Sequence, residues 1–123
     1  MIVAVDFDGT VVKHEYPNVG ENCIGAVETL KRLVENKHDI ILWTMRHGKE
    51  LQDAIDWYNK HEIPLYGVNC NPSQSDWTKS PKAYAQLYID DAALGCPLEY
   101  VMNGRPFVDW FKIQEILTLS KII

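Results

Sequence analysis

The sequence predicts an α/β fold in which a parallel β-sheet has helices packed on both faces. Short, continuous apolar runs are typical of strands buried on both faces, and segments with apolar residues at helical spacing lie between them. Strands that alternate with helices in this way form parallel sheets joined by right-handed crossovers. The chain has 123 residues, a usual size for one domain. We therefore expect residues 1–123 to form a single domain.

The first half of the chain alternates strand and helix twice. Residues 2–7 form a buried type of strand that ends at a turn-forming Asp-Gly pair. The segment from about residue 23 to residue 36 has apolar residues at helical spacing. Residues 39–44 then predict a second strand, and residues 49–61 predict a second helix.

The next part of the chain contains two further apolar runs and a polar segment. Residues 65–68 predict a short third strand, and residues 86–90 predict a fourth. Between them, residues 69–82 are rich in Asn, Pro and Ser, a composition that favours a loop.

The last part of the chain predicts a short β-hairpin and a helix. Asn103-Gly104 is a strong signal for a two-residue turn between residues 100–102 and residues 105–108. Pro106 favours an edge position for the second hairpin strand, because proline donates no backbone hydrogen bond. Asp109 is expected to cap the N-terminus of the final helix.

Composition and charge exclude several classes of protein. The chain has 12 Lys and Arg against 17 Asp and Glu, a net charge of -5, which argues against nucleic acid as a partner because binding there depends on cationic side chains. The N-terminal apolar run ends at Asp6, too early for a signal peptide or a membrane span. We therefore expect a cytoplasmic protein without a membrane partner. The three cysteines form no CxxC pair, which argues against a disulfide framework or a zinc site.

Polar side chains follow three of the predicted strands. Asp6 and Asp8 end the first strand, Thr44 ends the second, and Asp90 and Asp91 end the fourth. The carboxyl ends of parallel strands meet at one edge of the sheet, where ligands bind. Neighbouring carboxylates repel each other unless a cation or a proton separates them, and carboxylate and carbonyl oxygens suit Mg²⁺. The sequence therefore predicts a magnesium site at this edge.

These motifs resemble those of the haloacid dehalogenase superfamily of phosphohydrolases. The opening DxDGT motif of that superfamily appears as residues 6–10 (DFDGT). In the order typical of the superfamily, a strand ending in Thr44, a lysine and the acidic pair Asp90-Asp91 follow it. The resemblance covers nearly the whole chain. It implies a three-layer Rossmann-like sheet, Mg²⁺ as the cofactor and phosphohydrolase activity.

The resemblance also implies a role for each residue at the edge of the sheet. Asp6 is expected to attack phosphorus and form an aspartyl-phosphate. Asp8 is expected to protonate the leaving oxygen and later to accept a proton from water. The metal ligands would be the Asp6 carboxylate, the Asp8 backbone carbonyl and Asp90, with Asp91 more distant from the ion. Thr44 would donate a hydrogen bond to a phosphoryl oxygen.

The resemblance requires a lysine that offsets the charge on Asp6 and the phosphoryl group. Lys79 and Lys82 both precede the fourth strand. We favour Lys82, because its place eight residues before Asp90 resembles the spacing in a subgroup of small members. No full helix fits between Lys82 and the strand, whereas larger relatives usually have one.

Further residues are expected to contact the substrate. Gly9 allows a sharp bend that exposes backbone N–H groups to an anion, and Thr10 adjoins it in the same motif. Arg46 and His47 follow Thr44 by two and three residues, which places them near the same edge of the sheet. His14 is a similar candidate on the loop after the first motif.

The order of the motifs separates this chain from receiver domains of two-component systems. Receivers have an acidic pair first, the phosphorylated Asp in mid-chain and the Lys last, whereas here the acidic pair comes last. Cap domains of the superfamily would occupy residues 11–22 or residues 69–81, and neither segment is long enough to fold. The sequence therefore predicts a catalytic domain without a cap.

An open site indicates either a macromolecular substrate or a site closed by a neighbouring subunit. We favour a homo-oligomer, because the final helix has a wider apolar arc than one buried face requires. The predicted function is a Mg²⁺-dependent phosphatase acting on a small phosphomonoester such as a sugar phosphate. The alternatives are a phosphatase for a phosphoprotein or a nucleic-acid 3′-phosphate, the latter disfavoured by the charge, and a catalytically silent binding or regulatory module.

Overall fold

The computed structural model describes residues 1–123, with six β-strands and three α-helices. In chain order these are β1 (Ile2–Val5), α1 (Ala26–Glu35), β2 (Asp39–Leu42), α2 (Gly48–Lys60), β3 (Gly67–Val68), β4 (Leu87–Ile89), β5 (Leu98–Glu99), β6 (Phe107–Val108) and α3 (Trp110–Leu119). None of the helices is long and apolar enough to cross a membrane.

Four strands form a parallel sheet in the order β3-β2-β1-β4, which confirms the predicted mixed α/β fold and its parallel sheet. Strand β1 lies at the centre because its residues are apolar on both faces, and Val3, Ala4 and Val5 are all buried. Val5 pairs with Leu42 of β2 and with Ile89 of β4. The carboxyl ends of these three strands are therefore level, and the residues that follow them lie along one edge.

The predicted strands and helices lie where the sequence indicated, with shorter strands. The predicted strands 2–7, 39–44, 65–68 and 86–90 correspond to β1, β2, β3 and β4, and the predicted helices 23–36 and 49–61 correspond to α1 and α2. The strands β1, β2 and β4 end before Asp6, Trp43 and Asp90, where the chain leaves the ladder.

All three helices pack on one face of the sheet, so the prediction of helices on both faces is wrong. Val3 and Val5 belong to one large core cluster together with the buried residues of α1, α2 and α3. Ala4 and Ile41 lie on the opposite face in a small cluster with Ala85. The connections β1-α1-β2 and β2-α2-β3 advance in the same direction along the sheet, and crossovers of one hand place both helices on the same side.

The opposite face is covered by the connection between β3 and β4, residues 69–86. As predicted, it forms no α-helix, and its only helical turn is a 3₁₀ turn at Gln74–Asp76. The buried side chains of Asn71 and Gln74 bond its backbone: Asn71 donates to the Tyr84 carbonyl at 2.9 Å, and Gln74 donates to the Lys82 carbonyl at 2.9 Å. Side-chain amides thus supply the hydrogen bonds that a helix would make internally.

The C-terminal hairpin is present with a different register from the predicted one. Leu98 pairs with Val108 and Glu99 pairs with Phe107, so a seven-residue connection, 100–106, replaces the predicted turn at Asn103-Gly104. Pro106 has no N–H group to extend the ladder beyond Phe107. Asp109 caps α3 as predicted, because its side chain accepts a hydrogen bond from the Lys112 amide at 3.1 Å.

Candidate active site

Three carboxylates meet at the carboxyl edge of the sheet. Asp6 follows β1 and Asp90 follows the neighbouring β4, and the Asp6 amide donates to the Ile89 carbonyl at 2.9 Å. Asp91 is the next residue. Oxygen atoms of Asp6, Asp90 and Asp91 all lie within 4.8 Å of one another, and all three residues are half-buried. The parallel register of β1 and β4 therefore brings together residues that are 84 positions apart.

This cluster has the chemistry of a divalent metal site. The pKa of Asp6 is raised to about 8, chiefly by burial and also by the negative charges of Asp90 and Asp91, while the hydrogen bond from Thr10 lowers it. In the absence of a cation, a proton on Asp6 relieves the repulsion at neutral pH. Mg²⁺ prefers oxygen ligands of this type, so the donor set fits the predicted ion.

Thr10 contacts the Asp6 carboxylate, and its side chain is wholly buried. Its hydroxyl donates to Asp6 Oδ2 at 2.8 Å and accepts from the Asp91 amide at 3.1 Å. The Thr10 carbonyl accepts a hydrogen bond from Trp110 Nε1 at 2.7 Å, which fixes it to α3. The Thr10 side chain is thus enclosed and its hydroxyl proton is donated to Asp6, so the contact with substrate remains a prediction.

Gly9 forms the turn that follows the first strand. Its φ of 81° is in the left-handed region, and an added Cβ would overlap His14 and lie 2.5 Å from Asp91 Oδ2. Its amide donates to the Val12 carbonyl at 2.7 Å. This amide is therefore unavailable to the anion that the sequence predicted for it. The amides of Phe7 and Asp8, by contrast, donate no hydrogen bond within the chain.

His14 packs against the acidic cluster. Its Nε2 lies 3.0 Å from Asp91 Oδ2, and both side chains are about one-sixth exposed, at 16%. His14 and Thr10 therefore both contact Asp91. The sequence placed His14 only among the possible substrate contacts, because nothing in its spacing indicated Asp91 as its partner.

Arg46, which the sequence predicted to contact the substrate, is only 3% exposed. All five of its N–H groups donate within the chain. Two of them bind the two Asp8 oxygens at 2.8 Å each, and the others bind the carbonyls of Pro17, Asn18 and Glu50 at 3.2, 2.7 and 3.2 Å. Arg46 therefore has no donor left for a substrate, and the correction makes it a positioning residue for Asp8.

Two aromatic rings enclose the Arg46 guanidinium. Its central carbon lies 5.1 Å from the ring centroid of Phe7 and 5.2 Å from that of Tyr16. The pKa of Arg46 is raised above its ordinary value, chiefly because of its hydrogen bond to Asp8. The buried guanidinium therefore stays charged.

Thr44 lies at the same edge as predicted, beside a residue that the sequence analysis missed. The Thr44 hydroxyl accepts from the Arg46 amide at 3.1 Å, and the Thr44 amide donates to Asn69 Oδ1 at 2.7 Å. Thr44 and Asn69 line one cavity together with Asp6 and Asp90. Asn69 directly follows β3, so the rule that indicated Asp6 and Asp90 would also have indicated Asn69.

Lys82 and His47 lie outside the cavities that contain Asp6. Lys82 is exposed, and its Nζ lies 5.4 Å from the ring centroid of Tyr88, on the strand that leads to Asp90. Lys79 donates to the Ser75 carbonyl at 3.1 Å and does not line these cavities either. His47 is exposed at the N-terminus of α2. A catalytic role for Lys82 remains a prediction, whereas His47 is not among the residues that the structure brings to the site.

The acidic cluster opens into a cavity of about 530 Å³. Its wall includes Asp6, Asp8, Thr44, Asp90 and Asp91. Four loop residues that the sequence did not predict for the site also line it, namely Tyr16, Met45, Ala92 and Arg105. Loops converge through the tertiary fold, and no local pattern marks which of their residues face a cavity.

Comparison with known proteins gives one informative similarity. No protein-family model and no curated protein matches the sequence. A solved structure of a conserved protein from Bacteroides thetaiotaomicron is 40% identical to this chain, with a TM-score of 0.80. The similarity covers 98% of this chain and 91% of that protein's chain. The chain therefore belongs to the same family as this Bacteroides thetaiotaomicron protein.

Proposed function

We propose that the chain is a Mg²⁺-dependent phosphohydrolase of the haloacid dehalogenase type. The observation that supports it most strongly is the convergence of Asp6, Asp90 and Asp91 at the carboxyl edge of a parallel sheet. Asp8 and Thr44 line the same cavity. The sheet would be a reduced form of the Rossmann-like sheet of that superfamily, with residues 69–86 in place of a second helical layer.

Asp6 would act as the nucleophile. Its carboxylate oxygen forms a bond to phosphorus as the ester P–O bond breaks, which gives an aspartyl-phosphate and an alcohol. The hydrogen bond from Thr10 sets the orientation of the carboxylate. The Asp6 and Asp90 carboxylates and the Asp8 backbone carbonyl would hold Mg²⁺, with Asp91 beside them. The ion would keep Asp6 ionised and offset negative charge on the phosphoryl oxygens.

Asp8 would move the protons of both steps. It donates a proton to the leaving alcohol oxygen and then accepts one from the water that hydrolyses the aspartyl-phosphate, so that its starting state is restored. Arg46 bonds both Asp8 oxygens, and each oxygen retains a further lone pair for the proton. The two bonds therefore fix the carboxylate without removing its ability to exchange a proton.

The phosphoryl group would be bound by donors that the chain leaves free. The Thr44 hydroxyl accepts a hydrogen bond from the Arg46 amide and makes no donation of its own, so its proton is available to a phosphoryl oxygen. The amides of Phe7 and Asp8 are also unused. Positioned donors of this kind stabilise the charge of the equatorial oxygens in phosphoryl transfer. The substrate would be a small phosphomonoester that enters the open cavity.

The proposal is tested by hydrolysis of 4-nitrophenyl phosphate with Mg²⁺ and with a chelator. We expect hydrolysis only with the metal, and Asp6→Asn should lower kcat by on the order of a thousandfold or more because it removes the nucleophile. Asp56→Asn is the matched control, since Asp56 is exposed on α2 outside the cavities. Equal activity of wild type and Asp6→Asn, or activity unaffected by the chelator, would refute the proposal.

A further inference from the structure

A second cavity adjoins the cavity above the acidic cluster. The second one has a volume of about 360 Å³ and is lined by residues of the loop after β1 and of the connection between β5 and β6. His14 and Arg105 line both cavities. The two cavities are therefore neighbours, with Arg105 in the wall of both.

Arg105 differs from the other arginine of the site. Two arginines line the first cavity, Arg46 and Arg105. The N–H groups of Arg46 are all donated within the chain. Arg105 is exposed and forms neither an ion pair nor a side-chain hydrogen bond. It is therefore the one guanidinium at the site whose donors are free for a ligand.

Lys13 adds a second cation to the wall of the second cavity. Its Nζ lies 5.1 Å from the ring centroid of Phe107, and no carboxylate pairs with it. Glu15 is the only acidic residue that lines this cavity, and the imidazole of His14 contacts Asp91. The second cavity is thus lined by two cations and one anion, whereas acidic residues predominate in the first.

We propose that Arg105 and Lys13 form an anion-binding subsite that selects phosphomonoesters with a second anionic group. This inference rests on the proposed function, because the phosphoryl end of the substrate must bind at the acidic cluster. The second group is a carboxylate or another phosphate, since a planar guanidinium binds both by paired hydrogen bonds. Such a substrate would span the two cavities, with its reacting end at Asp6 and its other end at Arg105.

Titration calorimetry with phosphonates in Mg²⁺ buffer tests the subsite without turnover. The ligands are propylphosphonate, which has one anionic end, and 3-phosphonopropionate and propane-1,3-bisphosphonate, which have two. We expect one or both of the doubly anionic ligands to bind the wild type about tenfold more tightly than propylphosphonate, the gain typical of one charge-assisted contact. The tighter of the two identifies the second group as a carboxylate or a phosphate.

Arg105→Gln should abolish this preference, because the doubly anionic ligands should lose about tenfold more affinity than propylphosphonate does. Lys112→Gln is the matched control, because it removes the same charge from an exposed position outside both cavities, and it should retain the preference. A wild type without preference, or a preference that survives Arg105→Gln, would overturn the inference. Hydrolysis of 4-nitrophenyl phosphate, which has no second anionic group, tests the proposed function separately.

Discussion

Asp6 links the acidic cluster to the stability of the protein. In the metal-free protein its pKa is raised to about 8 by burial and by its acidic neighbours, whereas an Asp in an unfolded chain has a pKa of about 3.9. Between these values the folded state binds a proton that the unfolded state has lost. The contribution of Asp6 to stability is therefore complete below pH about 4 and is lost as the pH rises towards 8.

The pH dependence of the free energy of unfolding gives the first test. In urea titrations with a chelator, the free energy of unfolding of the metal-free wild type should fall by roughly a few kcal/mol relative to that of Asp6→Asn between pH 5 and 8. This pH range lies between the pKa of Asp6 in the unfolded chain and its pKa in the folded protein. Mg²⁺ should restore stability to the wild type at pH 8, because it replaces the proton. Parallel pH profiles for wild type and Asp6→Asn would contradict this account of the cluster.

At the scale of elements, Arg46 joins the first loop to the start of α2. Its side chain bonds the carbonyls of Pro17 and Asn18 in the loop after β1, and it bonds Asp8 in the same buried site. We expect Arg46→Lys to lower kcat about a hundredfold with little change in KM, because an ammonium cannot reproduce the paired contact with Asp8. Steady-state kinetics with 4-nitrophenyl phosphate measure both constants. A raised KM at constant kcat would instead indicate that Arg46 binds the substrate directly.

The elements also show what local sequence patterns can predict. The apolar runs and helical spacing predicted β1, β2, β4, α1 and α2. A strand buried on both faces is a continuous apolar run, and a helix buried along one side has apolar residues at helical spacing. The same patterns did not predict that all helices lie on one face, since this depends on the order of strands in the sheet. The predicted hairpin register was wrong: Leu98 pairs with Val108 and Glu99 with Phe107, so the ladder ends before Pro106, which has no N–H group to donate.

In the candidate site too, positions near strand ends could be predicted from the sequence, whereas contacts made by loop packing could not. Asp6, Asp90, Asp91 and Thr44 were predictable because each lies near the carboxyl end of a strand, a position set by chain order. The partner of Arg46, by contrast, depends on the packing of the loop after β1. Sequence spacing placed Arg46 at the correct edge and could not show that its donors would be filled within the chain.

At the scale of the whole molecule, α3 has an exposed apolar surface. Phe111, Ile116 and Leu119 are 56%, 49% and 78% exposed on this helix. The predicted homo-oligomer would bury them, and removing apolar surface from water contributes about 25 cal/mol of favourable free energy per Å². Light scattering at micromolar concentration should give a multiple of the mass of one chain, and Leu119→Lys should shift it to one chain. A wild-type mass equal to one chain would contradict the prediction.

The central claim, that Asp6 is a phosphoryl-accepting nucleophile, is tested most directly by mass spectrometry of acid-quenched protein. Asp8→Asn is the informative variant with 4-nitrophenyl phosphate, because this leaving group needs no proton whereas hydrolysis of the aspartyl-phosphate needs a base. We expect this variant, mixed with substrate and Mg²⁺, to accumulate one phosphoryl group on Asp6, and the double variant with Asp6→Asn to accumulate none. Two results together would show that Asp6 is not the nucleophile. The Asp8→Asn variant would turn over the substrate while Asp6 stays unmodified, and the Asp6→Asn variant would turn over the substrate as fast as the wild type.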